Sequence, residues 1–542
     1  MRKIILSILI LACSLPVMSQ SDGKPVGRLT GNFNMEAWYY LKDSVIGTEV
    51  PPEKTLMNAY GNFRYEYGNF TAGLRFEGYL NTLQGFEKGN DGTGIPYRFL
   101  SYKNDELQFT VGNFYDQFGN GLILRAWEDK NLGYDNAFEG VHVKYNPYKG
   151  VYLKGLYGRQ RIFFELGDGI VRGFDAEFNL NEIFDTLSSM KSRLVIGGGI
   201  VSKYQKDENL QYNLPENVAA FAGRFNYKRG MFGLKGEYAH KINDPSADNN
   251  LIYKDGNALL LNATWSKGTF GVVLDGKWVD NMSFRSDYQA VEKNLLINYL
   301  PAITQNHTYA LAAMYPYATQ LTGEAGVQAE LYYRLKKKSL LGGKYGTLIT
   351  LNYSRVHDIE RETEGLSNDT LGYTDQFLAI SDELLYDDFN LKIERKFTKK
   401  FKAVLVAQHV SYNKQIIEGK GGIVYAKTGV LDLSYRLMRR HTVRLEQQIL
   451  LTEQDRGDWY SAMVEYTISP HWFFSLMDQY NYGNEDKDLR VHYYTVGMGY
   501  NKGGNRIQLN FGKQREGIVC VGGVCRQVPS AYGAYVTISS TF

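Results

Sequence analysis

The chain is 542 residues long with a net charge of only +3, so it lacks the basic field that nucleic-acid binding draws on. Its 56 Gly, 42 Tyr and 28 Phe, set against 12 Pro, suit strands, turns and aromatic belts better than helices. A soluble chain of this size would ordinarily divide into several domains, since single cores stop growing at about 250–300 residues. The pattern along this one argues instead for a single closed sheet.

Residues 1–19 read as a secretory signal. Arg2 and Lys3 supply the positive end, Ile4 to Ala12 the apolar stretch, and Val17 and Ser19 the residues before a cleavage expected between Ser19 and Gln20. The alternative is a lipid anchor at Cys13, through Ile10-Leu11-Ala12-Cys13, although Leu11 is bulkier than that pattern prefers. Beyond this segment no apolar run approaches the roughly 18 residues of a membrane helix. Residues 20–542 are therefore read as one transmembrane β-barrel. Few residues separate the cleavage site from a first strand near Gly27 to Leu41, so an N-terminal plug domain, and with it an energised TonB-type transporter, is not expected.

From there the chain alternates with period two in segments of roughly ten residues, the length of a tilted strand crossing a bilayer. Val327, Ala329, Leu331 and Tyr333 alternate with Gln328, Glu330, Tyr332 and Arg334. Leu431, Leu433 and Tyr435 alternate with Asp432, Ser434 and Arg436, and Val443 and Leu445 with Arg444 and Glu446. The polar faces carry many charges, Lys235 and Glu237 among them. In a dry core such charges would cost several kcal/mol each, whereas a wet lumen tolerates them. The expected lumen wall includes Lys235, Glu237, Glu330, Arg334, Arg436, Arg444 and Glu446.

The connections are sorted by length. Short turns such as Gly68-Asn69, Lys228 to Gly230 and Thr398 to Lys400 alternate with longer polar loops, the longest at 115–136, 281–323 and 357–386. Short periplasmic turns alternating with long extracellular loops mark an outer-membrane barrel, and a soluble sandwich has no reason to sort its loops. The fold class is thus all-β: an antiparallel, up-and-down outer-membrane barrel of about 24 strands, within roughly 22 to 26. Two regions strain the scheme. Residues 281–323 could hold another hairpin or a loop folded inward, and the connection at 181–190 is long where a short turn is expected.

Chemistry-bearing groups are few. The stretch 115–136 mixes glycines and aromatics with Gln117, Arg125, Glu128 and Asp129, too apolar for a free loop tip. It is expected either to fold into the lumen as a constriction, with Arg125 paired to a carboxylate, or to be an ordinary packed surface loop. Gly197-Gly198-Gly199 lies within a strand and is read as room for curvature or close packing. The eight histidines are scattered without metal-site spacing, so no metal, cofactor or catalytic set is expected. Cys520 and Cys525, an even pair in an exported chain, read as a disulfide in an outward loop, with free thiols the alternative. Ala534, Val536, Ile538 and Phe542 share one face of a final strand, similar to the terminal signal of barrels inserted by the outer-membrane assembly machinery.

The run Gln117 to Asn136, the run Asn298-Tyr299-Leu300-Pro301-Ala302 with His307-Thr308-Tyr309, and the late loop Cys520 to Pro529 resemble an uncharacterised family of Bacteroidota outer-membrane barrels. The resemblance implies location and fold and brings no ligand residues with it. Two functional readings follow. In the first, the mixed-charge lumen makes a porin-like channel for small solutes with weak ion selectivity. In the second, the barrel is a non-conducting accessory or scaffold of an outer-membrane secretion or assembly complex, its wide hole filled by its own loops. Expected partners are outer-membrane lipid, the barrel-assembly machinery during biogenesis and, in the second reading, other outer-membrane proteins.

Overall fold

The computed structural model describes residues 27–362 and 372–542. The signal segment 1–19, Cys13 within it, and part of the 357–386 loop lie outside the described residues.

Alternating apolar and polar side chains favour extended backbone, and 24 such strands form one sheet in which each pairs antiparallel with the next. The ring closes where the first strand, Arg28–Tyr40, meets the last, Ala531–Thr541, with Asn32 opposite Thr541 and Tyr40 opposite Gly533. The backbone bonding continues to the final residue: Phe542 donates to Gly31 at 3.0 Å and accepts from it at 2.9 Å. Strands about 4.8 Å apart and tilted by about 40° make a 24-strand ring roughly 48 Å across between backbones.

The two faces of the sheet are sorted in the opposite sense to a soluble protein. Leu100, Leu274, Val327, Leu405, Leu476 and Val496 point outward and are 49% to 56% exposed. Asp175, Glu237, Lys277, Asn352, Asp388 and Gln448 point inward and are 0% to 4% exposed. Water outside would make this arrangement unfavourable on both faces; hydrocarbon outside makes it favourable on both.

The connections sort by end, with both described chain ends at the short-turn end. Four features depart from the simple scheme. The 180–191 connection is long because Leu180–Ile183 and Asp185–Ser188 form two helical turns there. The 336–346 connection is also long at the short-turn end, and Phe163-Phe164 makes a tight turn at the long-loop end; neither was visible in the sequence. The 281–322 connection adds no strand to the ring and runs inside it.

The glycine run now has a purpose. A Cβ on Gly197 would lie 2.8 Å from the Arg224 guanidinium, and one on Gly199 would lie 2.8 Å from Asp175. These two glycines leave space for Arg224 to hold Asp175 through two bonds of 2.6 and 2.9 Å.

Candidate functional site

The centre of the barrel at the long-loop end is occupied by the chain itself. After the strand Leu107–Phe114 the backbone turns inward at Tyr115, and Leu122, Ile123 and Leu124 are completely buried. They pack against Val171, Val201 and Ala239 of the wall and against Ile297 and Leu300 of the second inward segment. The two segments are bonded to each other: Arg125 donates its backbone N–H to Ile297 at 2.8 Å, and Tyr299 donates to Gly121 at 2.9 Å. Gly119, at φ +52°, passes so close to Glu237 that a Cβ would sit 2.5 Å from its carboxylate. That carboxylate accepts from the Asn120 backbone at 2.6 Å and its side chain at 2.8 Å.

An ionic cluster joins this segment to the wall. Arg75 and Glu77 come from the strand Phe70–Leu80, and Arg161 from the strand Val151–Ile162; the inward segment supplies Glu128, Lys130 and Asp135. Arg75 bonds Glu77, Glu128 and Asp135; Arg161 bonds Glu77 and Asp135; Lys130 bonds Glu77 and Glu128. Three cations thus face three carboxylates, with the Arg75 side chain 2% and Glu77 0% exposed. Burial on this scale is tolerable because every charge has an opposite partner.

A second anchor lies at the segment's entry, where Asp116 bonds His142 at 2.6 Å and Lys154 at 3.0 Å, with Lys144 at 3.6 Å. Burial alone pushes the Asp116 carboxyl up. The His142 bond and the Lys154 and Lys144 charges outweigh that and hold it well below the ordinary carboxylate range.

Residues 281–322 cross to the opposite wall. Asn298 donates to the Leu122 and Met282 carbonyls at 3.2 and 2.7 Å. His307 then meets Asp388 at 2.5 Å, Tyr309 donates to Asp432 at 3.1 Å, and the Leu311 backbone donates to Gln448 at 2.9 Å. Leu311, Tyr315 and Tyr317 pack with Tyr386, Tyr412 and Trp459 in a second buried cluster. Lys277 and Glu324, both fully buried, pair beside this path.

The hairpin Gly517–Val521 with Val524–Val528 carries the Cys520–Cys525 disulfide. It begins beside the barrel seam as expected, but it does not project outward. Gly522 accepts from the Tyr299 hydroxyl at 2.7 Å, Gly523 accepts from Thr319 at 3.2 Å, and Arg526 donates to Asn131 at 2.9 Å. The hairpin therefore latches both inward segments together.

The residues anticipated from sequence fall into distinct environments. Gln117, bonded to the Gly119 carbonyl at 2.8 Å, and Glu128 lie within the inward segment. Arg125 stacks over Tyr299 at 4.0 Å and Trp127 at 4.9 Å, while carboxylate pairing falls to Arg75 and Arg161. Asp129 caps a local turn by accepting from Asn131 and Leu132. Along the wall, Glu237 and Glu446 are buried, Arg444 and Glu330 half-buried, and Lys235, Arg334 and Arg436 exposed. The gradient runs along each strand: from long-loop to short-turn end, Asp388 and Asn390 are buried, Lys392 and Glu394 half-buried, Lys396 exposed. Of the two expectations, a wet charged lumen and a hole filled by loops, the first describes the short-turn half and the second the long-loop half, where the inward segments bury the wall. Arg75, Glu77, Asp135 and Arg161 were missed by sequence reading; the alternation places Arg75 and Glu77 on one face, but nothing local names their partners.

No curated protein matches the chain. Among solved structures it is similar to the translocation pore of the P pilus usher PapC (12% identity, TM-score 0.43, covering 95% of this chain and 99% of that one). It is also similar to a ferric enterobactin receptor variant from Pseudomonas aeruginosa (12%, 0.45, 96% and 81%). A third is the outer-membrane protein opdK from the same organism (12%, 0.36, 81% and 98%). These likenesses concern the fold alone. A family model described as a family of unknown function (DUF6029) matches residues 1–542, and the chain belongs to that family.

Proposed function

We propose that the protein is an exported outer-membrane barrel that is closed at rest, a non-conducting accessory or scaffold barrel. The observation that carries this reading is the complete burial of Leu122, Ile123, Leu124 and Ile297, loop residues that sit inside the ring against an apolar patch of its wall, Val171, Val201 and Ala239 among it. A ring roughly 48 Å across would be a hazardous hole if open, and three loops from different parts of the chain converge to fill it. In this reading the short turns and both termini face the periplasm, Phe542 serves insertion by the barrel-assembly machinery, and the signal is removed near Ser19-Gln20. Purified protein in planar bilayers is expected to be electrically silent, and mild-detergent purification is expected to bring down stoichiometric partner proteins. Steady single-channel currents from the unmodified chain would overturn the reading.

A second reading is a gated, porin-like channel for small solutes. It is favoured by the wet short-turn half of the lumen, where Lys235, Arg334 and Arg436 are exposed. It requires the inward segments to move, and solute-dependent currents would support it.

A further inference from the structure

Charge is not spread evenly round the short-turn end. Eight successive strands, from Gly256–Lys267 to His441–Leu451, are joined there by connections at 267–269, 336–346, 397–400 and 437–440. These four neighbouring turns carry nine Lys and Arg residues and no Asp or Glu. All nine are exposed, and among the described residues none pairs with a carboxylate. Elsewhere the same end is mixed, with Asp105, Glu106, Glu182 and Asp185 at the 103–106 and 180–191 connections. Two lysines on the lumen side of the arc, Lys392 and Lys402, are already matched, sharing Glu394 at 2.9 Å. The nine turn cations therefore make a local positive field that the chain itself does not offset.

The arc lies where hydrocarbon gives way to headgroups. On the outward face of these strands Trp265, Phe270 and Tyr333 form one aromatic run, with ring distances of 5.6 and 6.2 Å. Phe397, Phe401 and Tyr435 form another, at 5.3 and 6.4 Å. Aromatic girdles of this kind mark the membrane interface of a barrel. Lys267 stands between Trp265 and Phe270 in the chain, Lys399 and Lys400 between Phe397 and Phe401, and Arg439 and Arg440 in the turn that follows Tyr435. These cations are thus two or three strand residues beyond the girdle, on the order of 5–8 Å along the membrane normal. The same turns present Leu340, Leu341, Leu437 and Met438, which are 46% to 93% exposed. Apolar side chains beside cations at this depth suit a phospholipid, whose acyl chains and phosphate lie equally close together. An acidic protein would answer the charges, but the girdle places these turns among headgroups, where lipid meets them first.

We propose that this basic arc gathers anionic phospholipid, of the phosphatidylglycerol type, from the periplasmic leaflet onto one flank of the barrel. The phosphates meet the turn cations, and the headgroup brings no ammonium to oppose them. The inference rests on the membrane-spanning reading, with the short turns toward the periplasm. The test is native mass spectrometry of the full chain released from vesicles of phosphatidylglycerol and phosphatidylcholine in equal parts. One variant, Lys399→Gln, Lys400→Gln, Arg439→Gln and Arg440→Gln, discharges the arc. A second, Lys103→Gln, Lys149→Gln, Lys191→Gln and Lys502→Gln, removes the same charge from the rest of the rim. All eight side chains are exposed, at turns or strand ends, so folding is not at stake. Unmodified protein is expected to retain phosphatidylglycerol in excess, the arc variant to lose at least about tenfold of that excess, and the second variant to keep it within about twofold. No excess on the unmodified chain, or an equal loss in both variants, would overturn the arc as a lipid site while leaving the closed-barrel reading intact. An acidic protein lost only from the arc variant, with phosphatidylglycerol retention unchanged, would overturn it in favour of a protein partner. A chain that never enters vesicles would overturn the membrane-spanning reading and the arc with it.

Discussion

Arg75→Met is the perturbation that most directly asks whether the inward segments are held shut by the cluster at the wall. Arg75 comes from the wall and bonds two carboxylates of the inward segment, Glu128 and Asp135, as well as Glu77 beside it. Its removal leaves Arg161 and Lys130 facing three carboxylates, a net negative charge in a region where Glu77 is 0% exposed. Deleting one member of a buried ionic group costs about 3–5 kcal/mol. If that cost falls on seating the segment, the closed-to-open ratio drops by at least about a hundredfold, at about 1.4 kcal/mol per tenfold. Single-channel recording of the variant should then show brief openings that the unmodified protein lacks. Arg75→Met combined with Glu128→Gln restores charge balance and should recover much of the closed state, a coupling expected of groups in one network. A variant that melts earlier yet stays silent, or a double variant more open than the single one, would refute the assignment of this cluster as the fastener.

Acid should loosen the entry anchor only at low pH. The Asp116 carboxyl is lowered on folding, so its contribution is fully present above the ordinary carboxylate pKa of about 4 and is lost as pH falls through the lowered folded value. Channel noise and melting should be unchanged from neutral pH to about 5 on this account, and Asp116→Asn should abolish the acid-dependent part of any loosening below it; acid sensitivity identical in the variant would count against the anchor. Cys520→Ser with Cys525→Ser is expected to free the latch over Tyr299 and Thr319, read as faster proteolysis after Arg515 or Arg526, and intact mass should rise by two hydrogens when the unmodified protein is reduced. Removing Phe542, which packs on Phe63 at a ring distance of 6.0 Å and bonds Gly31, should lower the yield of heat-modifiable barrel in membranes. Gly119→Ala should destabilise the closed state, because the added carbon meets both a left-handed backbone and the Glu237 carboxylate; unchanged melting would contradict the close approach.

How far the sequence could be read depended on the range of the interaction concerned. The alternation of Val327, Ala329 and Leu331 with Gln328 and Glu330 exposes the strand and its two faces within a few residues, because side chains alternate locally whatever lies across the sheet. Turn sorting gave the two ends of the barrel in the same way, and failed at 180–191, at 336–346 and at Phe163-Phe164. Arg125 illustrates the limit at the site. Its charge suggested a carboxylate partner, yet its guanidinium lies over the Tyr299 and Trp127 rings, and Tyr299 is remote in sequence.

The amino-acid pattern by itself determined that this protein is a closed antiparallel sheet with apolar side chains turned outward, since each strand states its own preference for what surrounds it. Only the tertiary structure decided that half of the polar interior is dry. Glu237, Asp388 and Glu77 are as hydrophilic in sequence as the exposed Lys235, and what distinguishes them is whether a loop from elsewhere in the chain arrives with a matching charge or donor. That arrival depends on register and ring closure across long stretches of chain, which no local pattern encodes.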